Sequence, residues 1–130
     1  MTREEHISLL VTQAQDDFGA ANALAASGYF AHALFWSHLV MEKLCKALWM
    51  KKRNSINYPY IHNLIKLLDG ASANLSEEQM IYYADMNQFQ VMGRYTDTLQ
   101  AIEKTVTKEI CDLYFSKTKT EMTWLINQLQ

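Results

Sequence analysis

Proline and glycine are scarce in this sequence, which has one proline and four glycines among 130 residues. Few chain-breaking residues mean few turns, so long helices are expected rather than many short strands. The sequence also lacks a glycine-rich phosphate loop of the type GxxxxGK or GxGxxG, and a GxSxG nucleophile elbow. A bound nucleotide would therefore have to be held by side chains and helix ends.

Cysteine is scarce too, and Cys45 and Cys111 lie in separate apolar segments without a CxxC or Cys/His spacing. Such residues are typical of buried free thiols in a reducing cytoplasm, so we expect a cytoplasmic protein. The four histidines form no HExxH or ExxH pattern. We therefore predict neither a metal site nor a cofactor.

The sequence has no strong excess of one charge, since its formal net charge is −2. This value gives no general attraction to nucleic acid or to an anionic membrane, so any anion site must be local. The start of the chain, MTREEHISLL, lacks a signal-peptide pattern. The most apolar run, residues 29–50, is interrupted by polar groups, and we expect no membrane span. These groups are His32, His38, Glu42, Lys43 and Lys46.

What the sequence does contain is a large apolar fraction, 49%, with 20% charged residues. This balance predicts one globular domain over residues 1–130. Helical periodicity predicts an all-α fold, an antiparallel up-and-down bundle of four to five helices. The helices are expected at about 2–26, 29–52, 61–70, 76–92 and 105–129, and the segment RYTDTLQAIE at 94–103 is expected to be a connector.

Local signals support two of these helices. Ile7, Leu10 and Ala14 belong to an apolar stripe along the first helix. Ser76 with Gln79 three residues later is typical of a capping box, which predicts the start of the fourth helix. The last helix is expected to bury Ile110, Leu113, Tyr114, Trp124, Leu125 and Leu129.

The second helix carries two different faces. Its core face is expected to hold Tyr29, Phe30, Ala33, Leu34, Ser37, Val40, Met41, Leu44, Ala47 and Leu48. The opposite side mixes the polar groups given above with large apolar side chains, among them Phe35, Trp36 and Leu39. Either another helix or a second subunit should cover part of this side, and we assign these three residues to a dimer interface.

Two further segments have a structural and a functional interpretation. The basic stretch KKRNSINYPY, residues 51–60, is interpreted as a solvated helix end followed by a loop. His62 could seat the next helix or face a ligand cavity. Arg94, Tyr95 and Asp97 could form a helix-end salt bridge, or Arg94 could clamp a phosphate or carboxylate beside a stacking tyrosine.

Several motifs occur in an order that resembles the HEPN family (higher eukaryotes and prokaryotes nucleotide-binding). The second helix, YFAHALFWSHLVMEKLCKALWMKK, contains an E-K-L-x-K-A-L pattern. A basic loop with a proline follows, and then H-N-L-x-x-L at 62–67. An R-Y-x-D pattern occupies 94–97, where related sequences commonly read R-Y-P-D. The similarity extends over nearly the whole chain.

This resemblance implies an antiparallel helical bundle that usually dimerises. Many HEPN proteins are metal-independent ribonucleases with an R-x4–6-H motif, and they often act as toxins paired with a nucleotidyltransferase. In this sequence the histidine slot counted from Arg94 falls at Leu99, Gln100 or Ala101. None of these side chains exchanges a proton near neutral pH, so the family's ribonuclease activity is not expected here.

Three hypotheses follow from the resemblance and the missing histidine. The first is a non-catalytic homodimer that binds a nucleotide or RNA, or a partner protein such as a nucleotidyltransferase. Its ligand-binding residues would be Arg94, Tyr95, Asp97, His62 and Lys43. The second is a ribonuclease with a relocated histidine, either His62 or His38. The third is a module that serves protein–protein interaction alone.

Overall fold

The computed structural model of the protein describes residues 1–91 and 96–130. Six α-helices lie in these ranges, and no strand does. They are α1 (Arg3–Ala26), α2 (Phe30–Lys52), α3 (Leu64–Gly70), α4 (Glu77–Met86), α5 (Thr96–Thr105) and α6 (Lys108–Leu129). The predicted all-α helical bundle is confirmed. None of the helices within these ranges combines the length and apolarity needed to cross a bilayer.

The first two helices form an antiparallel hairpin. Gly28, in the turn between them, has a φ of 85°, a left-handed conformation that glycine adopts without a Cβ penalty. Ile7 and Leu10 near the start of α1 pack in one cluster with Ala47 and Met50 near the end of α2. The two helices therefore run alongside each other in opposite directions over most of their lengths.

Helix α2 occupies the centre of the bundle. It packs against α1, α3 and α6, and against a short 3-10 helix, Asn87–Val91, that extends α4. Most of the predicted core face is buried, including Leu34, Val40 and Leu44. Phe30 is half-buried, and Tyr29, which precedes the helix, is 57% exposed.

The polar side of α2 was expected to be covered in part by another helix or a second subunit, and three of its polar residues are in fact covered within the single chain. His38, Glu42 and Lys46 are 1%, 9% and 7% exposed. A central helix has no fully solvated side, so periodicity alone could not separate a covered polar stripe from a surface one. The loop between α2 and α3 covers this stripe, as the contacts of His62 and Tyr58 described below establish.

Side-chain caps define the starts of α3 and α4. The Asn63 side chain accepts a hydrogen bond from the backbone of Lys66, which satisfies one of the free N–H groups of α3. The predicted capping box of Ser76 and Gln79 is confirmed, since each side chain accepts a hydrogen bond from the other residue's backbone N–H.

The segment expected to be a connector after Arg94 instead contains helix α5 from Thr96 to Thr105. Among the described side chains of this helix, Ile102 reaches the core and is 7% exposed. Thr105 ends the helix by donating a hydrogen bond to the carbonyl of Ile102. This helix has only two large apolar residues, Leu99 and Ile102, and although they are three apart the pattern was too short to distinguish a helix from a connector.

Helix α6 buries only part of the predicted set. Leu125 is fully buried, and Tyr114, Trp124 and Leu129 pack in part against the core. Ile110 and Leu113 are 36% and 53% exposed. The buried side chains are Cys111, Phe115, Thr118, Glu121 and Leu125. This face is favoured because α4 supplies partners for its polar members.

Two tyrosine hydroxyls of α4 satisfy the polar groups that α6 buries. Tyr83 donates a 2.8 Å hydrogen bond to Glu121, and Tyr82 shares a 2.6 Å hydrogen bond with Thr118. Burial raises the pKa of both tyrosines well above the usual range. Both hydroxyls therefore stay protonated, as this network requires.

Glycine at two helical positions gives a matched test of packing. A Cβ on Gly70 would lie 2.6 Å from Trp49 Nε1, whereas a Cβ on Gly19 would meet nothing within 4 Å. We expect Gly70→Ala to lower the free energy of unfolding by about 1–3 kcal/mol through overpacking. We expect Gly19→Ala to raise it by about 0.5–1 kcal/mol, because alanine restricts the unfolded chain and favours helix.

Urea denaturation of the two variants and the wild type measures both changes. Equal effects of the two substitutions would contradict the close contact between Trp49 and Gly70.

Candidate functional site

A buried carboxylate on α2 is the centre of a polar cluster that joins this helix to the loop before α3. Glu42 Oε2 lies 3.0 Å from Lys46 Nζ, one helical turn further along α2. Glu42 Oε1 lies 3.0 Å from His62 Nδ1 in the loop before α3. Both oxygens of a largely buried carboxylate are thereby paired, which offsets the cost of removing the charge from water.

His62 is held in a fixed orientation by this contact. A carboxylate can only accept a hydrogen bond, so Nδ1 of His62 donates to Glu42 and Nε2 is left as the second ring nitrogen. The His62 side chain is 42% exposed, in contrast to the 12% of Glu42. The pair therefore presents an oriented imidazole to solvent above a buried carboxylate, an arrangement that suits proton transfer or hydrogen bonding to a ligand.

His38 lies below this pair, one turn before Glu42. Its Nδ1 is 3.9 Å from Glu42 Oε1, too far for a hydrogen bond, and neither ring nitrogen has a partner among the described residues. Burial lowers the pKa of His38 to about 4, and the nearby Glu42 carboxylate opposes this shift. His38 is therefore neutral at pH 7 and adds no charge to the cluster.

The motif H-N-L explains how the chain brings His62 to this position. His62 binds Glu42, and the next two residues are fixed by α3 and its neighbours. Asn63 caps α3 and accepts a hydrogen bond from the Asn87 amide, and Asn87 in turn accepts one from the backbone of Leu64. Leu64 is fully buried in the core. The three adjacent residues thus attach the loop to α2, to the 3-10 helix and to the core.

The same loop makes a second contact with α2 through an aromatic side chain. Lys46 Nζ lies 4.8 Å from the centre of the Tyr58 ring, a cation–π distance. Tyr58 also packs against the cluster that contains Ala47 and Met50, and its ring centre is 5.4 Å from that of His6 on α1. Lys46 therefore links the Glu42 carboxylate to the aromatic part of the loop.

The residues predicted to form the ligand site are not all brought together by the described structure. Arg94 and Tyr95 lie outside the described residues, and Asp97 falls in the first turn of α5. His62 belongs to the Glu42 cluster. Lys43 makes a separate contact, an ion pair with Asp17 of α1.

The three residues assigned to a dimer interface are half-buried in the single chain. Phe35 and Trp36 pack in part against the core, with their ring centres 6.4 Å apart in an edge-to-face arrangement. Their remaining surface and that of Leu39 are accessible. The interface assignment stays a prediction.

Glu42, Lys46 and His38 are absent from the predicted ligand set although His62 is in it. The spacing of the three residues was a usable signal, since positions 38, 42 and 46 are four apart and share one stripe of a helix. The spacing does not predict which residue of another segment pairs with that stripe. His62 lies 20 residues from Glu42 in sequence, and the contact depends on the path of the loop.

The cluster offers hydrogen-bond and proton-transfer chemistry. Within residues 1–91 and 96–130, no three histidine, cysteine or carboxylate side chains are grouped as they would be to hold a metal ion. An oriented imidazole and an ammonium group around one carboxylate can bind a polar ligand or transfer a proton at His62 Nε2.

Comparison with known proteins gives one match. A family model described as HEPN domain matches residues 7–127, which is nearly the whole chain. No curated protein matches the chain significantly. No solved structure does either.

The low pKa of His38 predicts a specific acid sensitivity. Between its ordinary pKa of 6.5 and the folded value of about 4, the unfolded chain binds a proton at His38 that the folded chain does not. The free energy of unfolding should therefore fall by up to about 3 kcal/mol as pH drops through this window. Glu42, His62 and Lys46 face the same ring and are retained in His38→Leu. The difference between the wild type and this variant therefore measures the contribution of His38.

Urea denaturation between pH 7 and pH 4 checks this expectation. His38→Leu should flatten the decline, while His32→Leu, at a half-buried histidine on the same helix, should leave it unchanged. A decline of equal size in all three proteins would contradict the burial of a neutral His38.

Proposed function

Since the chain belongs to the HEPN family, we propose that it is a non-catalytic nucleotide- or RNA-binding and interaction module that works as a homodimer. The family assignment supports a nucleotide- or RNA-related module in general. The observation that carries the narrower proposal is the sequence after Arg94. Leu99, Gln100 and Ala101 occupy the positions where the family's ribonuclease motif has its histidine.

The absence of that histidine removes the group that would exchange protons with the RNA. Side chains of leucine, glutamine and alanine have no pKa near neutral pH, so they cannot act as the acid or base of phosphodiester cleavage. Arginine alone can still bind a phosphate group through paired N–H donors. Binding without cleavage is thus the chemistry that the motif R-Y-T-D supports.

In this proposal the ligand site consists of Arg94, Tyr95 and Asp97, with His62 and Lys43 as further contributors. Arg94 would bind phosphate and Tyr95 would stack on a base or sugar, while Asp97 would orient the guanidinium. The orientation of His62 by Glu42 supports its part in ligand binding. The Lys43 ammonium already pairs with Asp17, so its contribution would be to the local electrostatic field.

Two partners belong to the proposal. A second copy of the chain would bind through Phe35, Trp36 and Leu39, in keeping with the frequent dimerisation of HEPN domains. A nucleotidyltransferase encoded by a neighbouring gene would form a pair of the toxin–antitoxin type. The accessible part of the aromatic side chains on α2 supports a protein contact there.

Removal of the Arg94 guanidinium tests the ligand site. We expect Arg94→Ala to weaken binding of ATP or of a short RNA by about tenfold or more, because a charge-assisted hydrogen bond contributes about 1.5–3 kcal/mol. Isothermal titration calorimetry measures the dissociation constants. Arg3→Ala is the control, since Arg3 pairs with Glu4 on the surface of α1. Equal affinities of wild type and Arg94→Ala would contradict the assignment of Arg94.

A charge on the exposed part of α2 tests the dimer. We expect Leu39→Glu to halve the mass seen by light scattering, from twice 15.1 kDa to the mass of one chain, because burial of an unpaired carboxylate at an interface is unfavourable. Leu9→Glu is the matched control, since Leu9 is a 40% exposed leucine on α1. A single-chain mass for the wild type, or an unchanged mass for Leu39→Glu, counts against this interface.

A second candidate function is RNA cleavage with a relocated histidine. The contact that favours it is the 3.0 Å distance between His62 Nδ1 and Glu42 Oε1, which orients the imidazole as in an acid–base pair. Incubation of single-stranded RNA with wild type and His62→Gln, with a chelator present, separates the two functions. Cleavage by the wild type that His62→Gln loses would support this candidate, and intact RNA in both samples would remove it.

A further inference from the structure

Positive charge in this chain is concentrated in one segment. Six of the twelve lysine and arginine residues lie between positions 43 and 66, and residues 43–68 contain no aspartate or glutamate. The chain as a whole has a formal net charge of −2. The end of α2, the loop that follows and the start of α3 therefore form a basic region on a weakly acidic protein.

Large exposed side chains occur in the same loop. Tyr60 is 94% exposed and Ile56 is 70% exposed. The centre of the Tyr60 ring lies 6.5 Å from that of Tyr58, in an edge-to-face arrangement, and Tyr58 in turn contacts His6. An aromatic ring so fully exposed contributes almost nothing to the core, so its position needs another explanation.

Tyr58, the residue next to which the Tyr60 ring lies, is fixed by contacts with two helices. Lys46 lies over the Tyr58 ring, and Tyr58 packs against the end of the α1–α2 hairpin. Pro59, between the two tyrosines, restricts the backbone. A restricted backbone beneath Tyr60 lowers the conformational entropy lost when a ligand stacks on its ring.

Two cations at the end of α2 are also exposed to solvent. Lys52 is exposed, and so is Arg53. The Arg53 guanidinium lies 5.0 Å from the Trp49 ring centre and donates a hydrogen bond to the carbonyl of Gly70. Arginine has five N–H donors, so this contact fixes the guanidinium and leaves donors for a phosphate.

We propose that the loop at residues 53–63, with the last turn of α2, is a binding surface for single-stranded RNA, on which a base stacks against Tyr60 while Lys52 and Arg53 bind the phosphates. A stacking aromatic beside a basic surface is the arrangement by which proteins hold single strands without reading their sequence. The proposal rests on the proposed function for the class of its ligand. It needs neither Arg94 nor a second subunit.

The combination of features favours RNA over an acidic protein. A protein partner would be expected to cover Ile56 and Tyr60 with an apolar patch. Lys43 and Lys46 pair with Asp17 and Glu42. Four other cations of this region remain, and an apolar partner patch has no need of them. They are Lys51, Lys52, Arg53 and Lys66. A single-stranded nucleic acid uses both features, since each nucleotide brings one flat base and one phosphate. A charge-matched polyanion without bases therefore distinguishes the two.

The test measures the affinity for a fluorescein-labelled uridine oligonucleotide of about 12 residues by fluorescence anisotropy. We expect Tyr60→Ser to weaken binding about tenfold or more and Tyr60→Phe to retain it, because phenylalanine keeps the stacking face. Lys52→Gln should lower the slope of log K against log salt by about 0.7, the value for one phosphate contact on a single strand. Tyr60 is almost fully exposed, so its replacement should leave the fold intact.

Matched controls lie at the opposite end of α2, about 30 Å away by the rise of the helix. Tyr29→Ser removes another exposed tyrosine, 57% exposed at the start of α2. Lys119→Gln removes an exposed lysine of α6 that lines a surface cavity together with Phe30. Neither control should change the affinity or the salt slope.

The outcomes separate this surface from the site at Arg94. Loss of RNA affinity in Tyr60→Ser with ATP binding unchanged supports the loop surface, whatever Arg94→Ala does. Loss of affinity in Arg94→Ala alone, with Tyr60→Ser equal to wild type, overturns the loop surface and leaves the proposed function standing. Equal competition by RNA and by polyglutamate of the same charge also overturns it, since stacking would then contribute nothing.

Discussion

The burial of the Glu42 carboxylate on the central helix is the constraint on which the arrangement around it depends. A carboxylate that is 12% exposed must find partners within the fold. One comes from its own helix, Lys46, and the other from the loop before α3, His62. The second partner fixes where the loop crosses α2. The ion pair thus fixes one point of the segment between α2 and α3, and the contacts of Tyr58, Asn63 and Leu64 fix the rest.

The position of the loop in turn determines which chemistry reaches the surface. His62 is the exposed end of a pair whose other member is buried, so its second ring nitrogen is presented with a defined orientation. Lys46 connects the same carboxylate to Tyr58, which supports Tyr60. A structural salt bridge inside the domain thereby orders two neighbouring surface features, a histidine and an exposed aromatic side chain.

Predictions from the sequence were most accurate for features that depend on residues close together along the chain. The capping box at Ser76 and the long apolar stripe of α1 depend on residues three or four apart, and both predictions are confirmed. Predictions from the sequence were incomplete for features that depend on a contact with a residue far away along the chain. The burial of Glu42 depends on His62, 20 positions away, and the buried face of α6 depends on the hydroxyl of Tyr83, 38 positions before Glu121. Helix α5 is only ten residues long, so its apolar spacing was too short to predict a helix.

A family motif can be explained by contacts within the fold or by a ligand, and its presence alone does not say which. H-N-L is a motif because its three residues bind to three different parts of the fold, so its presence does not require a ligand. The side chains of R-Y-x-D lie outside the described part of the structure, and the sequence has no histidine at the motif's spacing from Arg94. A chain with H-N-L and without a histidine at the motif's spacing from Arg94 still has a bundle with an oriented histidine and a basic loop. Binding places fewer demands on geometry than proton transfer does, because a phosphate contact tolerates small displacements that proton transfer to an oxygen does not.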